Sequence, residues 1–551
     1  MTIPTVTYTM GGMSFSDDTW VLDRVDGEQH TFLAHALSLA ALHGPGPWPG
    51  GGTPLPDESS NQEGPRFAAG AMDGIQTHHF GISPDPAAVT AVADEITTLV
   101  TGDPDTAAAV RLHDRLAELT AIDIADDLST ELEFRLLPYP RVRTLARWLV
   151  EHGTRREAVK LGLVLLGLTG DERDRDLLLL MGTLEEFTLF ALIALMRTQP
   201  DPPERIAYLL ARRVSGWGRI HAVERLSNCD DPEIQTWLLR EGFRNEVMNE
   251  YLAHLAATTG HLYEALLADQ VDDALLDSAG DILTALADGD GGPAAGLSDY
   301  DEALPTLRRY ADLVPDRPPT IQRLRTLLTI RNYLQQRETF PESWSAEKAA
   351  ALRDRYADLV SDQRWRSLVT EHLADPSHAT FDAVLWAAQE LGIRPFPQVR
   401  ARIEASPLDH YAWQCAWELA EPSEATALAD HAQRVILAFS SDREPSDASR
   451  SAREQHGQTE PPNPMVLREL KALILRGLKR FPGVGVPLIL NGLDDDQPSV
   501  RGAAVDAVMA WPVEAVPDEV IDAVRRIRRQ ESRPQITEAM DALLARCASA
   551  N

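Results

Sequence analysis

Apolar residues recur at three-to-four spacing along most of this chain, in windows of 10–15 residues such as EHGTRREAVKLGLVLLG and PPERIAYLLARRV. That periodicity predicts amphipathic helices. Alternating β-branched runs are nearly absent. The exception is the first 25 residues, where TVTYTM and TWVLDRV predict a short hairpin. Helix-start signals recur at Pro140–Arg141, Gly170–Asp171, Asp201–Pro202, Asp231–Pro232 and Gly260–His261, 29 to 31 residues apart. Leu149, Leu179, Leu209 and Leu239 keep one offset within the units. Each unit reads as two helices. The first starts at the Asp/Pro punctuation, which caps it and suits its first turn. The second starts about 15 residues later, at REAVKLGLVLLGL, EEFTLFALIALM, WGRIHAVERL and RNEVMNEYLAHLA. A two-helix unit of that size cannot bury its apolar faces alone, so the period predicts an all-α solenoid of stacked helix pairs.

A C-terminal stretch, LILNGLDDDQPSVRGAAVDAVMAW, places Pro498, Val500, Arg501, Ala504 and Ala507 after an acidic turn. With the 30-residue units, it resembles the HEAT-repeat family in its short-repeat form. The resemblance covers about 140–290 and 465–545. It implies that Asp495 or Asp496 and Arg501 brace a hairpin between neighbours, and that second helices line a concave binding surface. The expected organisation is an acidic, partly irregular, loop-rich N-terminal segment (1–135), regular repeats (136–290), irregular helical repeats (300–440), a polar linker (440–464) and C-terminal HEAT-like helices (465–551). Proline and glycine exclude regular structure from HGPGPWPGGGTPLPDESSNQEGP at 44–66, and DGDGGPAAG at 288–296 reads as a loop.

Charge narrows the partners. Of 551 residues, 52 are Lys or Arg and 84 Asp or Glu, a net of −32. Residues 1–140 hold 21 acids and 5 bases, half of the excess. Such a chain repels phosphate backbones and anionic lipid. A protein partner, basic if it meets the N-terminal segment, is expected instead of nucleic acid or membrane. Only Lys160, Lys348, Lys471 and Lys479 are lysines, a bias that fits GC-rich bacterial coding. Three scattered cysteines exclude a disulfide framework. The start of the sequence has no secretory pattern and no apolar run reaches membrane length, so a cytoplasmic protein is expected.

Few residues carry candidate chemistry. Asp73, His78 and His79 in GAMDGIQTHHFG could ligate a metal, but adjacent histidines point apart and no second cluster joins them; capping or packing is the expected role, with no metal or cofactor. In GWGRIHAVERL, Ile220, Val223 and Leu226 form a buried stripe. The resemblance then turns Arg219, Arg225, Arg244 and Asn249 toward a partner, with Trp217 as an interface anchor. The competing expectation packs Trp217 between repeats and sets the arginines against local acids. The Arg525–Arg533 run lacks interleaved aromatics and reads as a solvated helix with intramolecular glutamate partners. Asp288 and Asp290 do not complete a calcium loop, because Pro293 occupies the obligatory glycine position. Walker, GxSxG, GxGxxG and kinase signatures are missing. The expected function is a non-catalytic protein-binding scaffold, for instance an inhibitory, immunity-type partner. Two alternatives are a HEAT-like nucleic-acid binder or glycosylase, which the mixed Glu186, Glu224, Glu246 and Glu250 face disfavours, and an accessory subunit of an enzyme.

Overall fold

In the computed structural model, residues 20–24, 30–58, 67–337, 340–341, 344–378, 380–439 and 463–550 are described. These residues form helices and turns, with no strand among them. The hairpin expected at the start falls mainly outside the described residues, and its visible end, Trp20–Arg24, is not a strand. The 440–462 linker is likewise outside them. No described helix is long and apolar enough to cross a membrane. The helices divide into two compact bodies, one of residues 1–317 and 329–356, the other of residues 318–328 and 357–551.

In the first body the expected helix pairs form. Tyr139–His152 is followed by Arg156–Thr169, Arg175–Thr183 by Thr188–Thr198, Pro203–Ala211 by Trp217–Glu224, and Pro232–Trp237 by Glu250–Thr259. First helices are amphipathic and keep an exposed face. The first two second helices are buried almost all round: Ala158–Leu163 and Thr188–Leu192 are unbroken buried runs. A helix apolar on every side must be covered on every side. The N-terminal segment supplies the cover. Helix Pro86–Thr101 packs on Ala121–Glu133, which packs on Arg156–Thr169. Phe32 is fully buried edge-on to Phe187, ring centres 5.0 Å apart. The acidic segment that charge set apart in the sequence is therefore packed into the same body as these helix pairs.

The fourth pair departs from the pattern. RNEVMNEYLAHLA was expected to be helical from its start, yet helix begins only at Glu250. Asn245 explains the delay: its side chain accepts from the Val247 and Met248 amides and donates to the Phe243 and Met248 carbonyls. A short polar side chain here offers the backbone a turn in place of a helix. The next unit starts at Leu262 with a short helix, after His261 in a left-handed conformation. Gly44–Gly52 contains one 3-10 turn, Pro49–Gly52.

A charge ladder follows the repeat. Arg143 reaches the Asp171 carboxylate at 3.5 Å, Arg175 pairs with Asp201, Arg205 with Asp231 and with Glu233 at 2.9 Å, and Arg240 with Asp272 at 2.8 Å. Arg143, Arg175 and Arg205 lie on first helices and reach the acidic start of the next pair, whereas Arg240, on the continuation of the fourth first helix, reaches the cap of Asp273–Asp288, the second helix of the following unit. Asp171, Asp231 and Asp272 also cap the helices they precede. In the second body, considered by itself, Arg501 spans 2.7 Å to Glu531 and donates to the carbonyls of Asp495 and Asp496, both at 2.9 Å. The turn is thus braced through its backbone, while the Asp495 carboxylate takes Lys471. Arg525 and Arg528 pair with Asp522 and Asp541, aspartates of the chain itself.

Burial decides what each rung is worth. Asp174 has no exposed side-chain area and takes Arg143 at 2.8 Å and Arg147 at 2.6 Å. Burial opposes its charge, but the two arginines and the Asp171 amide outweigh it and hold the carboxyl below its usual range. Asp174→Ala therefore costs about 3 kcal/mol, because it removes the buried carboxylate that two arginines share and leaves them only the more exposed Asp171 and Glu151. Asp272→Ala, at a carboxylate 59% exposed, costs about 1 kcal/mol, chiefly its cap. Urea unfolding of the two variants checks the difference, and equal losses contradict it.

Candidate functional site

The two stretches that held the candidate chemistry meet in the first body. Gly70–Gly81 forms a short helix, Ala71–Ile75, continued by a widened turn, Gln76–Phe80. It lies on the start of the Trp217–Glu224 helix. Two glycines permit the approach. At Gly74 a Cβ would stand 2.1 Å from the Trp217 ring, and Gly70 has φ +71 with a Cβ position 2.7 Å from the Glu185 carbonyl.

Adjacent buried glutamates in the turn before Thr188 organise the contact. Glu185 accepts from the amides of Ser215 at 2.7 Å and Gly216 at 2.8 Å, and from Gly218 at 3.3 Å. It thereby neutralises the positive end of the Trp217 helix. Glu186 accepts the Gly70 amide at 2.9 Å and meets Lys160 at 2.9 Å. Lys160, 1% exposed, also holds Asp73 at 2.7 Å and Glu157 at 3.0 Å. Burial works against the ammonium, yet Glu186, Asp73 and Glu157 outweigh it and hold its pKa above the usual lysine range. Arg156 also stands 3.5 Å from Glu186, but no second cation pairs with Asp73 among the described residues. Asp73, 4% exposed, is pushed up to about 6 by its burial, against the pull of Lys160 and with the repulsion of Glu186 and Glu157.

The histidines face elsewhere. His78 donates through Nδ1 to the Gly74 carbonyl at 2.8 Å and through Nε2 to Glu224 at 2.8 Å. The Glu224 hydrogen bond raises its pKa and favours imidazolium. His221, 3% exposed, is pulled down to about 4 by burial and stays neutral. His78, Trp217 and Tyr251 form an aromatic triangle with ring centres 5.3 to 5.4 Å apart. His79 meets the Tyr251 hydroxyl at 2.7 Å. Asp73, His78 and His79 thus take three different partners, and among the described residues no group of histidine, cysteine and carboxylate could hold a metal.

Thr77, His78 and Glu224 stand in the order of a nucleophile, base and acid, with Thr77 Oγ1 3.0 Å from His78 Nδ1. The chemistry does not follow. Nδ1 gives its proton to Gly74, and the Thr77 hydroxyl donates to the Asp73 carbonyl at 2.9 Å. A base already protonated on both nitrogens takes no proton from the hydroxyl.

The five residues expected to face a partner are mostly occupied. Trp217 is 5% exposed, covered by the chain's own Gly74 and His78. Arg219 lies 5.2 Å over the Trp237 ring. Arg244 pairs with Asp281 at 2.7 Å, and Asn249 accepts the Asn245 amide. Arg225 alone of the five is exposed, and it makes no ion pair or hydrogen bond among the described residues. The second-helix surface expected to be open is covered at this pair by Gly70–Gly81. Beside it lies a cleft of about 160 Å³. Ile122, Leu163, Leu189 and Phe190 make its walls, Ile82 and Thr77 one edge, and Arg225, Arg197 and Asp126 its rim. All three cysteines are buried and free, Cys229 as the small apolar residue expected. Asp290 accepts from Tyr333 at 2.6 Å and pairs with Arg337, which anchors its loop in place of any calcium.

No family model matches the chain, and none of the curated proteins or solved structures does.

Lys160 was the residue that sequence reading passed over. Its signal was present: a lysine, one of four, inside the apolar run AVKLGLVLLG. The pH dependence of its cluster is testable. Between about pH 4 and 6 the native Asp73 keeps a proton that the unfolded chain releases, so stability from this group falls as pH rises, by about 1.4 kcal/mol per unit. Asp73→Asn is always neutral and lacks that slope. Its stability relative to wild type therefore improves by about 2–3 kcal/mol from pH 4 to pH 7, and a difference that is constant across the window refutes the assignment.

Proposed function

We propose that the chain is a HEAT-like α-solenoid working as a non-catalytic, protein-binding scaffold. The Arg-to-acid ladder at the repeat period supports the stacked-pair reading. The polar groups with catalytic potential are engaged with one another: Lys160 by three carboxylates, His78 at both nitrogens. They hold Gly70–Gly81 in place and leave binding to the surface around it.

The observation that carries the reading is the apolar cleft beside Arg225. Its volume, about 160 Å³, is near that of an engineered cavity that admits benzene, about 150 Å³. It takes one aromatic or leucine-sized side chain, the kind of buried anchor around which protein interfaces concentrate their energy. The exposed Arg225 at its rim supplies a cation for an acidic neighbour of that anchor.

Selection of a random peptide library displayed on phage, against the full chain, tests this. Enriched peptides are expected to share an aromatic or leucine next to Asp or Glu. They are expected to lose binding to Ala125→Trp, which fills the cleft from a half-exposed position, and to weaken about tenfold on Arg225→Glu. Failure of any peptide to enrich, or binding indifferent to both variants, overturns the reading of this cleft.

A further inference from the structure

A chain of net charge −32 gathers four cations around one groove in the first body. The groove, about 630 Å³, runs between the short helix Leu262–Leu267, the helix Ala303–Leu313 and the start of Ala346–Ser361. Arg308, Arg309, Lys348 and Arg355 line it, against the single acid Asp312. Two of the cations are tethered: Arg309 donates to the Leu266 carbonyl at 2.9 Å, and Arg355 lies 3.7 Å from Asp312. Arg308 and Lys348 are exposed and have no side-chain hydrogen bond or ion pair among the described residues. The floor between them is apolar. Leu304 and Leu352 line it, and Leu267 is 50% exposed at its edge.

Neither feature alone selects an occupant; together they do. A groove within the roughly 300–1,000 Å³ range of ligand sites holds several side chains, far more than one small anion. Free cations beside an exposed Leu267 and a half-buried Leu304 match a segment that carries both carboxylates and apolar side chains. A nucleic acid offers phosphates without apolar side chains, and the charge of the whole chain opposes a polyanion. We propose that this groove docks an acidic, leucine-bearing segment of a partner protein, an inference that rests on the scaffold reading. The partner chemistry is opposite in sign to the basic partner that overall charge suggested, because the local field at the groove reverses.

The test uses the full chain and a short fluorescein-labelled peptide with leucine and glutamate at helical spacing, followed by fluorescence anisotropy at low salt. Saturable binding is expected, weakening as salt rises. Arg308→Glu with Lys348→Glu is expected to lower affinity at least about tenfold. Leu267→Asp is expected to do likewise, and a leucine-to-serine peptide to bind poorly. These positions are exposed, so circular dichroism and thermal melts should match wild type. No binding, equal affinity for the double variant, or stronger binding of an oligothymidylate overturns the proposal. Arg225→Glu separates the two ideas. If the groove fails while cleft-selected peptides still depend on Arg225, the scaffold reading stands alone; if both fail, both fall.

Discussion

A lysine ammonium deep in an apolar layer is the constraint around which the first body is arranged. Uncompensated, such a charge costs several kcal/mol. Lys160 sits in a second helix that is buried nearly all round, so its counter-charges have to be brought to it. Glu157 comes from one turn earlier, Glu186 from the following pair and Asp73 from the N-terminal segment. The last of these ties a distant stretch of chain to the repeats. Once Asp73 is placed, Gly74 meets Trp217 and His78 meets Glu224. A single charge requirement thus determines which surface the repeats keep for themselves.

The same rule operates more weakly on the outside. Arg143 and Arg205 find the acidic caps of the next pair, so there capping and pair-to-pair attachment share one carboxylate. Rungs in solvent contribute little each, and the buried Asp174 contributes more.

Much of this is legible in the sequence. The 30-residue spacing of Asp/Pro punctuation places the helix pairs, and GAMDGIQTHHFG and GWGRIHAVERL stand out from composition and pattern alone. Their contact is not legible, because nothing local in either stretch encodes a partner more than a hundred residues away. Of the arginines expected to face a ligand, Arg244 is instead taken by Asp281 and Arg219 by the Trp237 ring, the outcome composition favours when 84 acids surround 52 bases, and Arg225 alone stays exposed. Lys160 is hidden by its own setting: inside an apolar run, one charge reads as noise until three carboxylates are found around it. The delayed start of the fourth second helix turns on the side-chain bonds of Asn245, which periodicity does not weigh.

The surfaces left for binding follow from what Gly70–Gly81 covers. Gly70–Gly81 closes the second-helix face at Trp217 and leaves beside it an apolar cleft with an exposed Arg225. The measurement that tests this account most directly is amide hydrogen exchange of residues 70–81 in wild type and in Lys160→Met. Methionine keeps the apolar stem and removes the charge. Loss of the shared ammonium is expected to release the segment, so its amides exchange much faster while those of Tyr139–His152 stay protected. Protection of 70–81 equal to wild type contradicts the claim that Lys160 holds the segment in place.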